Sequence, residues 1–60
     1  MRETVLMKGE MATIVIVTAQ GRTEVLDGED EVLESHKDDQ HEAILARYLA
    51  LGWDVEEDGP

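Results

Sequence analysis

Residues 14 to 17 read Ile-Val-Ile-Val. Four consecutive β-branched side chains are stiff at χ1 and crowd the preceding turn of a helix, so the run favours an extended strand. Side chains alternate along a strand. Ile14 and Ile16 therefore point one way, and Val15 and Val17 the other. Both faces of this strand are apolar, and both need cover. A 60-residue chain has little to offer. At this length only about 60% of the surface exposed by the unfolded chain is buried on folding. The chain has no cysteine, so neither a disulfide nor a thiolate-bound metal can help. One face can be covered from within. The other needs a second copy, a larger protein, or an N-terminal arm folding back.

The flanking segments supply the rest of a sheet. Thr4 to Met7 is a short apolar run, ended by Gly9-Glu10, and Met11 to Thr18 contains the central strand. Gln20-Gly21 marks a turn in which Gly21 takes positive φ. Thr23 to Leu26 reads as the returning arm of a hairpin. Asp27-Gly28-Glu29-Asp30 breaks that arm. Val32-Leu33 is either one more short strand or an apolar plug in a loop, and Ser35 to Asp39 reads as polar connection.

A helix follows. Asp39 suits its N-cap, with Glu42 three residues on in the manner of a capping box. His41, Ile44, Leu45, Tyr48 and Leu49 recur at i, i+3, i+4, i+7 and i+8, one continuous face that Leu51 widens. Gly52 ends the helix as its C′ residue. Trp53 and Val55 then alternate with Asp54 and Glu56 as a half-buried final strand, with Gly59-Pro60 as a tail. The expected fold class is α+β: a small, mainly antiparallel sheet in the order β-β-β-α-β, with one helix packed on one face. Residues 1–60 make a single domain, in which 1–10 is an N-terminal arm or an edge strand.

Charge is the second constraint. Fifteen Asp and Glu face five Lys and Arg, for a net charge of -10. Nine of the carboxylates lie between residues 24 and 42, with Lys37 the one Lys or Arg among them. Asp54, Glu56, Glu57 and Asp58 form a second run. Such a chain repels itself and attracts basic surfaces from a distance. Duplex DNA carries one charge per about 1.7 Å, so ten charges match about 17 Å of duplex. A compact chain of this length has a radius of gyration of about 10 Å. The charge density is that of a nucleic-acid backbone.

Other chemistries find little support. Asp27, Glu29 and Glu31 alternate as in a calcium loop, but its sixth-position glycine is Val32 here and the closing Glu is missing. His36 and His41 stand five apart, which fits neither a helical face nor a strand for zinc. His41 sits on the apolar helical face, where nearby acids favour its charged form. No Ser-His-Asp order or phosphate-binding glycine loop accompanies the few hydroxyls, so no catalytic residue, metal or cofactor is assigned. No segment has the length and apolarity of a membrane span, and an anionic membrane would repel the chain. Nothing resembles a signal peptide, so a cytoplasmic protein is expected. Ala43, Ala46, Arg47 and Ala50 form a small-residue strip on the back of the helix.

The close Tyr48-Leu49-Ala50-Leu51-Gly52-Trp53-Asp54-Val55 is similar to the helix, Leu-Gly-Trp, strand ending of several small bacterial and phage domains, a likeness that implies no function. In size and acidity the chain resembles phage-encoded inhibitors that occupy nucleic-acid sites on host proteins. The functional expectation is a non-enzymatic binding protein that docks on a basic, nucleic-acid-binding surface of a larger protein without contacting nucleic acid itself. Its partner-binding residues would be Asp27, Glu29, Asp30, Glu31, Glu34, Asp54, Glu56 and Glu57, with Arg47 and Trp53 as local anchors. The alternative is a homodimeric structural or regulatory module whose acidity serves solubility.

Overall fold

The Ile14–Val17 run occupies the middle of a five-stranded antiparallel sheet. In the computed structural model, which describes residues 1–10 and 12–60, the elements are β1 (Arg2–Lys8), β2 (Ala12–Ala19), β3 (Arg22–Asp27), β4 (Val32–His36), α1 (His41–Ala50) and β5 (Asp54–Gly59). The strand order is β4-β3-β2-β1-β5. Fold class and single helix are as the sequence implies. Met11, expected to open the second strand, lies outside the described residues.

Several boundaries differ from the sequence reading. The N-terminal segment is neither an arm nor an edge: β1 lies inside the sheet, between β2 and β5. Val32-Leu33 opens a strand rather than plugging a loop, and the strand runs on to His36 in place of the polar connection that Ser35 and His36 imply. β5 likewise extends to Gly59, paired with Glu3, so Gly59 is not a tail. Its backbone pairs with β1 while its side chains stay largely in water, and Val55 is exposed rather than half-buried. The Gln20-Gly21 link is a two-residue hairpin turn with positive φ at both residues, 54° and 75°, the geometry whose twist matches paired strands.

The helix-facing side of the sheet is graded. One row holds Arg2, Thr18, Thr23 and His36, the next Thr4, Ile16, Val25 and Glu34, and the third has Leu6 beside Ile14. Ile44 and Leu45 pack on Leu6, Ile14, Ile16 and Val25, with Tyr48 and Trp53 at the margin. Leu6, Ile16 and Val25 are wholly buried. Truncating Leu6 to Ala costs about 2–5 kcal/mol. A domain of this size holds only about 3–9 kcal/mol in all. Leu49 and Leu51 were expected on this packed face but are 46% and 59% exposed, because a ten-residue helix on so small a sheet has nothing beneath its last turn.

The polar row anchors the start of α1. His41 is 2% exposed, and both ring nitrogens are hydrogen-bonded. The Thr4 hydroxyl donates its one proton to Asp58 Oδ1 at 2.8 Å, because a carboxylate can only accept. Thr4 Oγ1 therefore accepts from His41 Nε2–H at 2.8 Å. In the neutral ring Nδ1 is then an acceptor, and Thr18 donates to it at 2.8 Å. Thr18 in turn accepts from Thr23 at 2.8 Å, and Thr23 accepts from the Gln40 backbone N–H at 3.0 Å. Each hydroxyl proton has one destination. The far end is held by Arg2, which donates to Asp58 Oδ2 at 2.9 Å and also pairs with Glu42.

This arrangement corrects two expectations. Gln40, not Asp39, stands at the N-cap and makes no side-chain cap. Asp39 Oδ1 instead accepts from the His41 backbone N–H at 3.1 Å, and Glu42 is taken by Arg2 rather than reaching back. The ring of His41 also titrates in the opposite sense to that expected from its acidic neighbours. Burial, and then the nearby Arg2 cation, push its pKa below the ordinary 6.5, outweighing the upward pull of Asp58, Glu42 and Asp39.

The sign of the pH effect follows. A depressed folded-state pKa means that the unfolded chain takes up the proton first. Stability relative to a His41→Gln variant is expected to be constant above pH 6.5 and to fall as the pH drops below it. The variant itself costs about 1–3 kcal/mol at neutral pH. Asp58, held down to about 2 by Arg2 and Thr4, lowers the stability of both chains further as the pH falls from 3.8. Urea titrations of both chains across this range check the prediction; a pH-independent difference between pH 6.5 and 5 would contradict it.

Candidate interaction cleft

The end of α1 sets the position of the one tryptophan. Gly52 adopts φ 94°, the Gly52 N–H donates to Leu49 O at 3.1 Å, and the Trp53 N–H donates to Tyr48 O at 3.1 Å. This pair of bonds is a Schellman closure. Lys8 Nζ adds a hydrogen bond to Leu51 O at 2.9 Å, a cation where the helix dipole is negative. The chain thereby turns back, and Trp53 meets Tyr48 edge to face, with centroids 5.7 Å apart and planes at 84°. Trp53 is half-buried and closes the core, as its place after the helix stop implies.

Trp53 also forms a wall of an open cleft of about 470 Å³. Ile14, Thr13 and Leu33 line it with Trp53, and Asp27, Gly28 and Glu29 border it. The sheet register explains the convergence. β2 begins, β3 ends, β4 begins and β5 begins at one end of the sheet, and α1 terminates there. Residues 26 positions apart in sequence, Asp27 and Trp53, thus share one depression.

The acidic loop that rims the cleft is built around Asp27. Its Oδ1 accepts from the backbone N–H of Glu29 at 2.8 Å and of Glu31 at 3.0 Å. Its own N–H donates to Glu31 O at 2.9 Å, and Asp30 N–H donates to Asp27 O at 3.1 Å. Asp30 takes φ 64°, a conformation that Asp tolerates better than most residues. The Asp27 carboxylate is therefore spent on the loop, whereas Glu29, Asp30 and Glu31 project into water. Asp54 adjoins Trp53 on the β5 side and is exposed as well.

The other expected site residues lie elsewhere. Glu34 and Arg47 bind each other on the flank of the helix. Arg47 stacks over the Tyr48 ring at 5.2 Å, and His36 Nε2 donates to Glu34 Oε1 at 3.2 Å. Partial burial opposes the Glu34 charge, but hydrogen bonds from His36 and Arg47 outweigh it and hold its carboxyl below the usual range. Glu56 and Glu57 run along the edge strand β5; the register places Glu57 opposite Val5, away from the cleft. Of the ten expected residues, Asp27, Glu29, Asp30, Glu31, Asp54 and Trp53 gather at one end. Leu33 and Ile14, which line the cleft, carry no site role in the sequence reading: Ile14 belongs to the central strand, and Leu33 to a short strand or an apolar plug. Val32-Leu33 beside an acidic turn was their signal.

No family model, no curated protein and no solved structure matches this chain. No helix is long and apolar enough to cross a membrane among the described residues.

The division between loop-building and free carboxylates has a direct check. Asp27→Ala removes the acceptor for two amides and is expected to speed hydrogen exchange at Glu29 and Glu31 by about tenfold, the equivalent of roughly 1.4 kcal/mol. Asp27→Asn keeps an accepting oxygen and should leave exchange near the wild-type rate. Equal protection of both amides in all three chains would show that Asp27 does not order the loop.

Proposed function

We propose that this chain is a non-enzymatic binding protein that docks the acidic end of its sheet on a basic surface of a larger protein, a surface that otherwise holds nucleic acid. The observation that carries this reading is the pairing of an apolar cleft with uncompensated charge. Leu33 and Trp53 offer apolar contact, Glu29 borders the cleft, and Asp30, Glu31 and Asp54 lie at the same end of the sheet; none of these four acids forms an ion pair among the described residues. The carboxylates steer a cationic partner and the cleft gives it a local anchor of the hot-spot type. A half-buried tryptophan beside a groove suits that role. Elsewhere Asp58 and Glu42 are paired with Arg2 and Glu34 with Arg47 and His36, whereas Glu3, Glu24, Asp38, Glu56 and Glu57 form no ion pair among the described residues. In this reading the chain occupies the partner's nucleic-acid site and acts as an inhibitor or nucleic-acid mimic.

The test uses Trp53 fluorescence with a Lys- and Arg-rich peptide that carries a central Leu and no Trp. Saturable binding is expected to weaken by on the order of tenfold as salt rises from about 0.1 to about 1 M, where the screening length falls from about 10 to about 3 Å. Converting Glu29, Asp30 and Glu31 together to Gln, Asn and Gln should weaken it similarly. An equal charge change at Glu3, Glu24 and Asp38 should have a much smaller effect. A nucleic-acid-binding protein captured on the immobilised chain should be released by duplex DNA. Binding indifferent to salt and to the 29–31 substitutions would refute the reading.

A further inference from the structure

The side of the sheet away from α1 is apolar where an antiparallel sheet facing water would be polar. β2 presents Thr13, Val15, Val17 and Ala19 on that side. The register joins Val5, Val15, Leu26 and Val32 into one row across four strands. Met7 and Val17 adjoin the row. Val32 is 53% exposed, and the other five are partly buried. The charged residues that the register sets on this face, Glu3, Glu24, Glu57, Asp54 and Arg22, lie around the apolar centre. An apolar centre with a polar rim is the anatomy of a protein interface.

Charge and size decide the occupant. A basic partner would meet no carboxylate at the centre of this face. An identical face matches it, apolar on apolar, and flat sheets stack about 10 Å apart with strands within about 30°. The molecule measures 31 × 22 × 19 Å. Five strands of about six residues give a face of about 500 Å² before side-chain relief is counted. Two such faces bury on the order of 1,000 Å² or more, which reaches the area a specific interface needs. We propose that the outer face of the sheet is a homodimer interface, in which two copies stack sheet on sheet about a two-fold axis through the Val5–Val15–Leu26–Val32 rows. The cleft meets this face at Thr13, and Asp54 stands opposite Met7, so the interface and the cleft share a margin at the sheet's end.

The two associations respond oppositely to salt. Each copy carries a net charge of -10, so the copies repel, and screening strengthens the dimer while it weakens a cationic partner. Sedimentation equilibrium on the full chain is expected to show a reversible dimer whose dissociation constant falls at least about threefold between about 0.1 and about 1 M salt. Val15→Lys reduces the negative charge of each copy, yet should weaken the dimer by more than about tenfold by placing a charge in the apolar centre. A mixed sample of labelled and unlabelled wild-type chain gives a reading that does not depend on the folding of that variant. Isotope-filtered NOEs between copies should connect the methyl groups of Val5, Val15 and Leu26. A wild-type monomer at millimolar concentration and high salt overturns the proposal. So does a dimer whose intermolecular NOEs fall on the β4 or β5 edge, or a folded Val15→Lys chain that dimerises like wild type. The dimer is read by sedimentation and intermolecular NOEs and the peptide by Trp53 fluorescence, so either proposal can fail while the other stands.

Discussion

The hydrogen-bond chain through His41 fixes where the single helix sits on the sheet. Thr4, Thr18 and Thr23 project from three adjacent strands and meet one imidazole at the first residue of α1. Each member is buried or half-buried and satisfied, and among the described residues no buried side-chain donor or acceptor lacks a partner. A network of this kind favours one docking of the helix over others because a shifted helix would leave several polar groups unpaired. With its start held there, α1 lays Ile44 and Leu45 over the core and ends at the opposite edge of the sheet. The Schellman closure then returns Trp53 to Tyr48 and opens β5 beside β1. The position of the cleft is thus a consequence of the polar anchor at the other end.

The carboxylates divide into those that serve the fold and those that do not. Asp58 holds Arg2 and Thr4, Asp39 ties down the first helical amide, Asp27 builds its loop, and Glu34 holds Arg47 and His36. Each gains from a positive group or an amide placed beside it. Glu29, Asp30, Glu31 and Asp54 form no ion pair among the described residues and lie at one end of the sheet, the first three in the β3–β4 loop and Asp54 at the start of β5. In a small protein of high net charge, uncompensated like charges cost stability through repulsion. In the function proposed above, the acidic end of the sheet serves recognition rather than solubility alone.

Much of this was legible in the sequence because it is encoded locally. The Ile14–Val17 run sets a strand, Gly21 a hairpin turn, and the Ile44, Leu45 and Tyr48 spacing with Gly52 a helix and its end. The alternation Thr4-Leu6, Ile14-Ile16-Thr18 and Thr23-Val25 even records the graded face, polar at one end, although the threonines read individually as inert. What stayed hidden depends on pairing over long distances. That β5 returns to β1, with Thr4 opposite Asp58, makes β1 an interior strand and pairs Arg2 with residues 40 and 56 positions away. Charge counting near His41 gave the wrong titration sense because burial is set by tertiary packing. The cleft was half visible: the acidic turn and Trp53 were singled out, but their adjacency follows only from the sheet order.

The central claim is that the acidic loop and Trp53 act as one recognition surface. Its most direct test is a backbone amide NMR titration with a Lys- and Arg-rich peptide bearing a central Leu. The account predicts shifts concentrated at residues 27 to 31, Leu33 and the Trp53 indole, with little change at Glu3, Glu24 or Asp38. Shifts spread evenly over all acidic residues, or absent from Trp53 and Leu33, would contradict it.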